Sequence, residues 1–299
     1  MTRILALHGV GSSASILKDQ LSVLLEKVAP NCDVHYLDGC VERDRGPGMA
    51  SYYQGPFYSY TTGYTPREIR EVFEDIDDFI NDHGPFDGVI GFSQGASMAA
   101  SYLLDWQHSR PDELLPFHFA IFISSVAAFS GSDSCSHSMI DGMLKNKLDD
   151  VKSFPDYGDG SLDEREKTYV DYLALTFLAA KHIGAVSPDD DIEFFSHQDL
   201  QMVPRILHPS LHKIRLRIPT VHIFGSGDLI SMMEQSKLVY GLCEEPISRF
   251  IKHSGGHSVP SRRAEVIEAA KHIEWAIIEG ANRHALEKTL AKVRVREVL

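Results

Sequence analysis

The sequence predicts an α/β fold with a mostly parallel, twisted sheet, helices on both faces of that sheet, and an inserted cap. Short apolar runs alternate with longer stretches of helical periodicity, a pattern typical of βαβ units. One long segment, at about 127–217, breaks this alternation between two apolar runs. Because the candidate functional residues lie on both sides of it, we expect a single domain over 1–299, with 127–217 as the cap and 280–299 as a helical tail.

Six short apolar runs are expected to form the strands, at 4–7, 34–37, 86–92, 117–123, 220–224 and 249–251. Helical periodicity predicts helices at 15–28, 66–81, 94–106 and 264–278. Within the cap, Ser161 and Glu164 have the spacing of a capping box, and Gly184 would end the helix that follows.

Composition excludes several classes of partner. The chain of 299 residues has 29 Lys and Arg against 42 Asp and Glu, a net charge of −13, which disfavours nucleic acid and anionic membranes. Its four cysteines have no metal-ligand spacing and predict a reduced protein. The apolar run at the N-terminus is too short for a signal or a membrane span, so a cytoplasmic location is expected.

The motif Gly91-Phe92-Ser93-Gln94-Gly95 carries the strongest chemical signal. It stands between an apolar strand and a helix, where a sharp turn lifts a serine oxygen clear of the backbone. The glycines two before and two after the serine avoid a clash in that turn. The pattern is typical of the nucleophile in the α/β-hydrolase fold and predicts Ser93 as the nucleophile. The alternative is a glycine-flanked serine turn without chemistry.

A serine nucleophile needs a base and an acid, which follow it in the order acid, then histidine. Asp228 follows the strand at 220–224 in a glycine-rich turn, and His257 follows Gly255-Gly256 after the last strand. Asp228 could instead serve only the turn. His253 is a second candidate for the base, but it lies nearer the strand end. The glycine pair also argues against a helix that would present both histidines to a metal, so no metal and no cofactor are expected.

The oxyanion of an acyl intermediate needs two backbone donors. The N–H of Gln94 follows the nucleophile, and the glycine-rich turn after the first strand offers the N–H of Val10. His8 is expected to position this turn or to be structural. A nucleotide-binding loop is the alternative for this segment, but the GxGxxG spacing is absent.

The segment 40–65 is rich in glycine, proline and aromatic residues, and it predicts a long loop near the working edge of the sheet. Tyr52, Tyr53, Phe57 and Tyr58 are its candidate substrate-binding residues. Either these side chains bind an acyl chain, or the loop only covers the core.

Three pieces of the chain resemble the FSH-type serine hydrolases, small α/β-hydrolases of fungi and other eukaryotes. These pieces are Leu7-His8-Gly9, the run 84–96, and Gly256-His257, within 1–126 and 216–278. The motif around Ser93 is also shared by carboxylesterases of the lysophospholipase type. The resemblance implies the triad Ser93, Asp228 and His257. It also implies a thioesterase or esterase of fungal polyketide biosynthesis, because some fungal members release polyketides from their synthases.

The expected function is hydrolysis of a carboxylic ester or acyl thioester through an acyl-Ser93 intermediate. The expected partner is a small acyl ester or thioester, including an acyl chain held by the carrier protein of a polyketide synthase. Two alternatives stay open: a transacylase or cyclase that uses the same acyl-serine, and a ligand-binding protein that keeps the fold without turnover.

Overall fold

The structure is a computed structural model that describes residues 1–28, 32–152, 155, 162–185, 194–195 and 198–298, with side chains up to residue 290. A six-stranded sheet has the order β2-β1-β5-β6-β7-β8, and every adjacent pair in it is parallel. The strands of this sheet are β1 (Thr2–Leu7), β2 (Cys32–Leu37), β5 (Gly88–Phe92), β6 (Phe119–Ile123), β7 (Thr220–Gly225) and β8 (Ser248–His253). The expected strands are therefore confirmed, and their ends differ from the expected ones by at most two residues.

Eight helices surround this sheet in the described residues. They are α1 (Ala14–Leu25), α2 (Pro66–His83), α3 (Gln94–Ser109), α4 (His137–Asn146), α5 (Leu148–Lys152), α6 (Glu164–His182), α7 (Ile230–Gly241) and α8 (Arg263–Val298). Short 3₁₀ turns lie at Leu200–Met202 and Glu245–Ile247. No helix in the described part of the chain is both long and apolar enough to cross a membrane.

The two faces of the sheet form two separate cores because side chains alternate along each strand. Leu5 and Leu7 of β1 pack with α2, α3 and the segment after β6. Ile4 and Ala6 pack on the other face, with α1 and α8. The three central strands β5, β6 and β7 are buried along their whole length, which explains why they are continuous apolar runs. The predicted α/β class with helices on both faces is confirmed.

Helix α6 begins with a capping box whose first residue lies two positions later than expected. Asp163 is the N-cap, and it accepts hydrogen bonds from the N–H groups of Arg165 and Glu166 at 2.8 and 2.9 Å. Glu166 in turn accepts from Asp163 N at 2.7 Å. Asp163 and Glu166 thus form the capping box at the start of the helix, and the expected cap residue Ser161 lies outside the described residues.

The last helix is longer than the range 264–278 predicted from the spacing of its apolar residues. α8 runs without a break from Arg263 to Val298, so the expected tail at 280–299 continues the helix expected at 264–278. Gly280 does not end the helix. A Cβ at this position would lie 2.5 Å from the carbonyl oxygen of His118, so the glycine allows the helix to pass close to the chain that enters β6.

A small antiparallel hairpin was not expected within 40–65. β3 (Val41–Arg43) pairs with β4 (Phe57–Ser59). β4 is also bonded to the turn after β1, since Tyr58 N donates to Ser12 O at 2.6 Å and Ser12 N donates to Tyr58 O at 3.3 Å. The aromatic segment is thus fixed at the carboxyl edge of the main sheet, where ligands of parallel α/β sheets usually bind.

Candidate active site

The turn that holds Ser93 joins β5 to α3 with very little space around it. Ser93 has φ 53° and ψ −116°, a positive φ that L-residues rarely adopt and that costs about 1–3 kcal/mol. A Cβ at Gly91 would lie 2.5 Å from the Cα of Ala96, and a Cβ at Gly95 would lie 2.2 Å from the carbonyl oxygen of Leu7. Both glycines are therefore required sterically: Gly91 avoids a clash within the turn, as the pattern predicts, and Gly95 avoids one with the end of β1.

The side chains of Ser93, His257 and Asp228 form one chain of hydrogen bonds. His257 Nε2 lies 2.9 Å from Ser93 Oγ, and His257 Nδ1 lies 2.7 Å from Asp228 Oδ2. The other carboxylate oxygen of Asp228 accepts from Leu229 N at 2.7 Å. A carboxylate on Nδ1 fixes the imidazole proton there, which leaves Nε2 as an acceptor for the hydroxyl proton of Ser93.

The loops that carry the acid and the base pack against each other. A Cβ at Gly225 would lie 2.0 Å from the carbonyl oxygen of Gly256, and Gly227 N donates to Gly255 O at 2.9 Å. His253 is 3% exposed at the base of this arrangement, and its Nδ1 accepts from Gly255 N at 3.2 Å. Burial lowers the pKa of His253. Of the two candidate histidines, His257 is therefore the one within hydrogen-bond distance of Ser93 Oγ, and His253 stabilises the loop that carries it.

The turn after β1 approaches Ser93 from the other side. Val10 and Gln94 both line the cavity that contains Ser93. Gln94 is the first residue of α3, so its N–H is one of the four that have no partner within a helix.

His8 supports this turn in its neutral form. His8 Nδ1 donates to Gly9 O at 2.7 Å, and His8 Nε2 accepts from Gly39 N at 3.0 Å. The residue is completely buried, and this burial lowers its pKa. A neutral imidazole can make both hydrogen bonds at once, so His8 helps to position the turn after β1, one of the two roles expected from the sequence.

The loop at 46–53 lies directly on the same turn. Gly11 has φ +62°, and Gly46 N donates to Gly11 O at 2.8 Å. A Cβ at Gly46 would lie 2.3 Å from Val10 O. Tyr53 Oη donates to Asp19 Oδ2 and ties the far end of the loop to α1.

These elements enclose a cavity of about 600 Å³. Ser93, Asp228 and His257 lie in its wall, together with Tyr52 and Tyr53. Helices α6 and α7, their flanking residues and the segment after β6 close the remaining sides with mostly apolar side chains, including Phe129, Phe177, Ala180, Ile183, Leu229 and Met232. The arrangement can hold an acyl group of medium size with its carbonyl next to the serine.

Comparison with known proteins agrees with this geometry. A family model described as serine hydrolase (FSH1) matches residues 1–269. The chain belongs to this family. It is therefore an enzyme of the serine hydrolase class with an α/β-hydrolase fold. The match includes residues 127–215, so the resemblance to the family extends further than the 1–126 and 216–278 indicated by the motifs.

Named relatives of this FSH1 member are fungal hydrolases. "Esterase alnB" of Emericella nidulans is 38% identical over 285 residues, covering 95% of this chain and 99% of that protein. "Serine hydrolase cnsH" of Penicillium expansum is 29% identical, covering 78% of this chain and 94% of its own. Among solved structures, the Bacillus cereus carboxylesterase has a TM-score of 0.47 at 13% identity, covering 92% of this chain and 88% of that one.

Two of the four aromatic residues expected to bind substrate do not line the cavity of this serine hydrolase. Tyr52 and Tyr53 lie in its wall, whereas Phe57 and Tyr58 belong to β4. The ring of Phe57 lies 5.5 Å from the Arg45 guanidinium, and the backbone of Tyr58 is paired with Ser12. Both residues pair with β3 in the hairpin that fixes the loop, and a part for them in substrate binding stays a prediction.

The side chain of Gln94 has a role that the motif did not indicate. Its Oε1 accepts from Ser59 Oγ at 2.9 Å and from Tyr60 N at 3.3 Å, and its Nε2 donates to Tyr64 Oη at 3.0 Å. Gln94 is 2% exposed, so these bonds connect the serine turn firmly to the aromatic segment. The phenol of Tyr64 is buried, which raises its pKa and keeps it neutral.

Helix α6 contributes one of its faces to the cavity, which the sequence motifs do not indicate. Thr176, Phe177 and Ala180 share that face of α6, and all three line the cavity. Periodicity shows which residues share a face, but it does not show what the face contacts. Among the described side chains, no cluster of three or more His, Cys, Asp or Glu is arranged to hold a metal ion.

Proposed function

We propose that this chain hydrolyses a carboxylic ester or an acyl thioester through an acyl-Ser93 intermediate. The observation that carries the proposal is the continuous hydrogen-bond chain from Asp228 through His257 to Ser93, opening on a cavity. This is the arrangement that activates a serine hydroxyl at neutral pH.

In the first half of the reaction, Ser93 Oγ attacks the carbonyl carbon and His257 Nε2 takes its proton. The backbone N–H groups of Val10 and Gln94 bind the negatively charged carbonyl oxygen. Gln94 lies at the start of α3, where free N–H groups favour an anion. His257 then gives the proton to the departing alkoxide or thiolate, which leaves the acyl group on Ser93.

In the second half, His257 takes a proton from water, and the resulting hydroxide attacks the acyl carbon. The second tetrahedral intermediate then collapses: the bond between the acyl carbon and Ser93 Oγ breaks, His257 returns its proton to Oγ, and the carboxylic acid is released. Asp228 faces the imidazolium that forms in both halves, with its side chain only 4% exposed. Its charge is therefore poorly screened by solvent and stabilises the imidazolium.

We also propose that the acyl group is a medium or long chain of polyketide type, supplied as an ester or on a carrier protein in the cytoplasm of a fungus. The cavity volume of about 600 Å³ and the fungal relatives named esterase and hydrolase support this. Residues 127–217 would act as the cap of a single domain, since β6 and β7 flank them as neighbours in the sheet and α6 contributes to the cavity wall.

The test compares Ser93→Ala with the wild type on a chain-length series of p-nitrophenyl esters and acyl thioesters. We expect turnover to fall by about 10⁴-fold or more, and labelling by a fluorophosphonate probe to be lost. Ser109→Ala changes an exposed serine at the end of α3 and is the matched control. Near-wild-type turnover by Ser93→Ala would refute the proposal. A product ester formed only when an alcohol is added would favour acyl transfer over hydrolysis.

A further inference from the structure

The loop that carries His257 is short and contains two glycines. Between the end of β8 and His257 it consists of Ser254, Gly255 and Gly256. Glycines have no side chain to pack and allow many backbone conformations, so the position of this loop depends on hydrogen bonds to its backbone. That position matters because His257 Nε2 must stay 2.9 Å from Ser93 Oγ, and a displacement of about 1 Å can cost about 100-fold in rate.

The side chain of His253 supports the middle of this loop from the protein interior. Gly255 N donates to His253 Nδ1 at 3.2 Å, and a Cβ at Gly255 would lie 2.9 Å from the same nitrogen. The ring therefore lies directly against the glycine backbone. His253 is itself fixed at the end of β8, because its carbonyl oxygen accepts from Ser226 N at 2.7 Å and from Ser226 Oγ at 3.0 Å.

Two further hydrogen bonds hold the loop from other elements. Gly255 O accepts from Gly227 N at 2.9 Å, in the loop that carries Asp228. Ser254 N donates to Glu265 Oε1 at 2.8 Å, in the first turn of α8. Hydrogen bonds from Ser254 also lower the pKa of Glu265, so this carboxylate stays an acceptor as the pH falls. Among these three supports, the imidazole is therefore the one that loses its acceptor first on acidification.

The hydrogen bond from Gly255 requires a neutral His253. Because the N–H of Gly255 only donates, Nδ1 accepts and the ring proton lies on Nε2, which is buried and has no hydrogen-bond partner among the described residues. Burial lowers the pKa of His253. The carboxylates of Glu265 on α8 and of Asp228 after β7, together with the backbone of Ser258, oppose this effect. A second proton on the ring would lie on Nδ1 and face the N–H of Gly255, so the hydrogen bond would be lost.

We propose that His253 is a positioning residue: its neutral ring holds His257 against Ser93, and its protonation releases the loop at 254–256. This inference deepens the proposed function and rests on it, because the reaction at Ser93 is its readout. As the pH falls, two protonations then stop the reaction. A proton on His257 Nε2 prevents that nitrogen from accepting the proton of Ser93, and a proton on His253 Nδ1 displaces His257.

The experiment compares His253→Asn with His253→Gln. The Oδ1 atom of asparagine takes the place of Nδ1, so it accepts from Gly255 N and does not titrate. Glutamine is longer by one methylene group, so its oxygen lies near the place of Nε2 and leaves Gly255 N without an acceptor. At pH 8, His253→Asn should keep kcat/KM for p-nitrophenyl butyrate within about 3-fold of the wild type, whereas His253→Gln should lose about 10-fold. All rates are divided by the concentration of active sites titrated with a fluorophosphonate, so that misfolded protein does not contribute.

The pH profile gives a readout that a purely structural role would not change. In the range in which thermal melting shows folded protein, log kcat/KM of the wild type should fall toward acid pH with a limiting slope of about two, one for each histidine, and that of His253→Asn with a slope of about one. His118→Asn is the matched control, because burial also lowers the pKa of His118 but this residue lies outside the cavity, just before β6. The control should keep the wild-type slope.

Two results would overturn the inference: equal limiting slopes for the wild type and His253→Asn, or wild-type kcat/KM at pH 8 in His253→Gln. The rate of fluorophosphonate labelling reports the activation of Ser93 without a substrate and separates the inference from the proposed function. If labelling is about 10-fold slower in His253→Gln than in His253→Asn while the wild type turns over no ester or thioester, the proposed function is refuted and the inference stands. Turnover by the wild type at a rate that both variants share would do the reverse.

Discussion

Replacing Asp228 with Asn changes one carboxylate oxygen into an NH₂ group without changing the size of the side chain. The N–H of Leu229, 2.7 Å from Oδ1, requires an acceptor, so the amide oxygen is held there. The NH₂ group then takes the place of Oδ2, 2.7 Å from His257 Nδ1. Two donors cannot face each other, so the imidazole proton moves to Nε2, and the base can no longer accept the proton of Ser93.

The magnitude follows from the two bonds of this carboxylate. Turning the amide so that its oxygen faces His257 leaves the N–H of Leu229 without an acceptor, at a cost of about 1–3 kcal/mol. The productive fraction then falls by about 10- to 100-fold at 1.36 kcal/mol per tenfold change. Losing the charge opposite the imidazolium removes a charge-assisted bond worth about 1.5–3 kcal/mol more. The expected decrease in kcat/KM is therefore about 10²- to 10⁴-fold, in line with the loss seen when a triad carboxylate becomes an amide.

The assay is hydrolysis of p-nitrophenyl butyrate by the wild type and Asp228→Asn, with the folded fraction measured by thermal melting. Asp141→Asn makes the same change of charge at a partly exposed position on α4, where Asp141 bonds to Lys145 outside the cavity, and should keep wild-type activity. The amide orientation alone should reduce kcat/KM by about tenfold. If Asp228→Asn retained more than about a tenth of the wild-type kcat/KM, the assignment of Leu229 as the group that selects this orientation would be wrong.

Two further predictions concern buried polar residues. Gln94→Leu leaves Tyr60 N and Tyr64 Oη without their hydrogen bonds. It should lower the free energy of unfolding, measured in urea, by about 3 kcal/mol and reduce kcat/KM for ester hydrolysis. Gln201→Leu, at an exposed position, should change neither quantity. Burial lowers the pKa of His222 from its usual 6.5 to about 3, so the unfolded chain binds a proton that the folded chain does not between these values. Stability is complete above about pH 6.5 and is lost as the pH falls toward 3, by up to about 1.4 kcal/mol per pH unit for this group. In the His222→Phe variant, the slope of the unfolding free energy against pH between pH 7 and pH 5 should be smaller by up to this amount. Equal slopes for variant and wild type would contradict the prediction.

Elements with a strong period or a continuous apolar run could be read directly from the sequence. The six strands and the helices α1, α2 and α3 fall where the pattern predicts them, because burial on one or both faces determines these residues. The hairpin of β3 and β4 was missed because each of its strands has only three residues, too few to show alternation. The continuation of α8 through Gly280 was missed because a glycine chosen for close packing resembles one that ends a helix.

The sequence by itself determined which residues are the candidates for the site: a serine in a turn flanked by two required glycines, followed in order by an acid and a histidine in glycine-rich loops. Tertiary structure decided between His253 and His257, excluded Phe57 and Tyr58 from the cavity, and showed that Gln94 connects the serine turn to Tyr64. Local steric requirements depend on residues that are adjacent in the sequence, whereas contacts between distant segments depend on how helices and loops pack. Sequence spacing does not encode that packing.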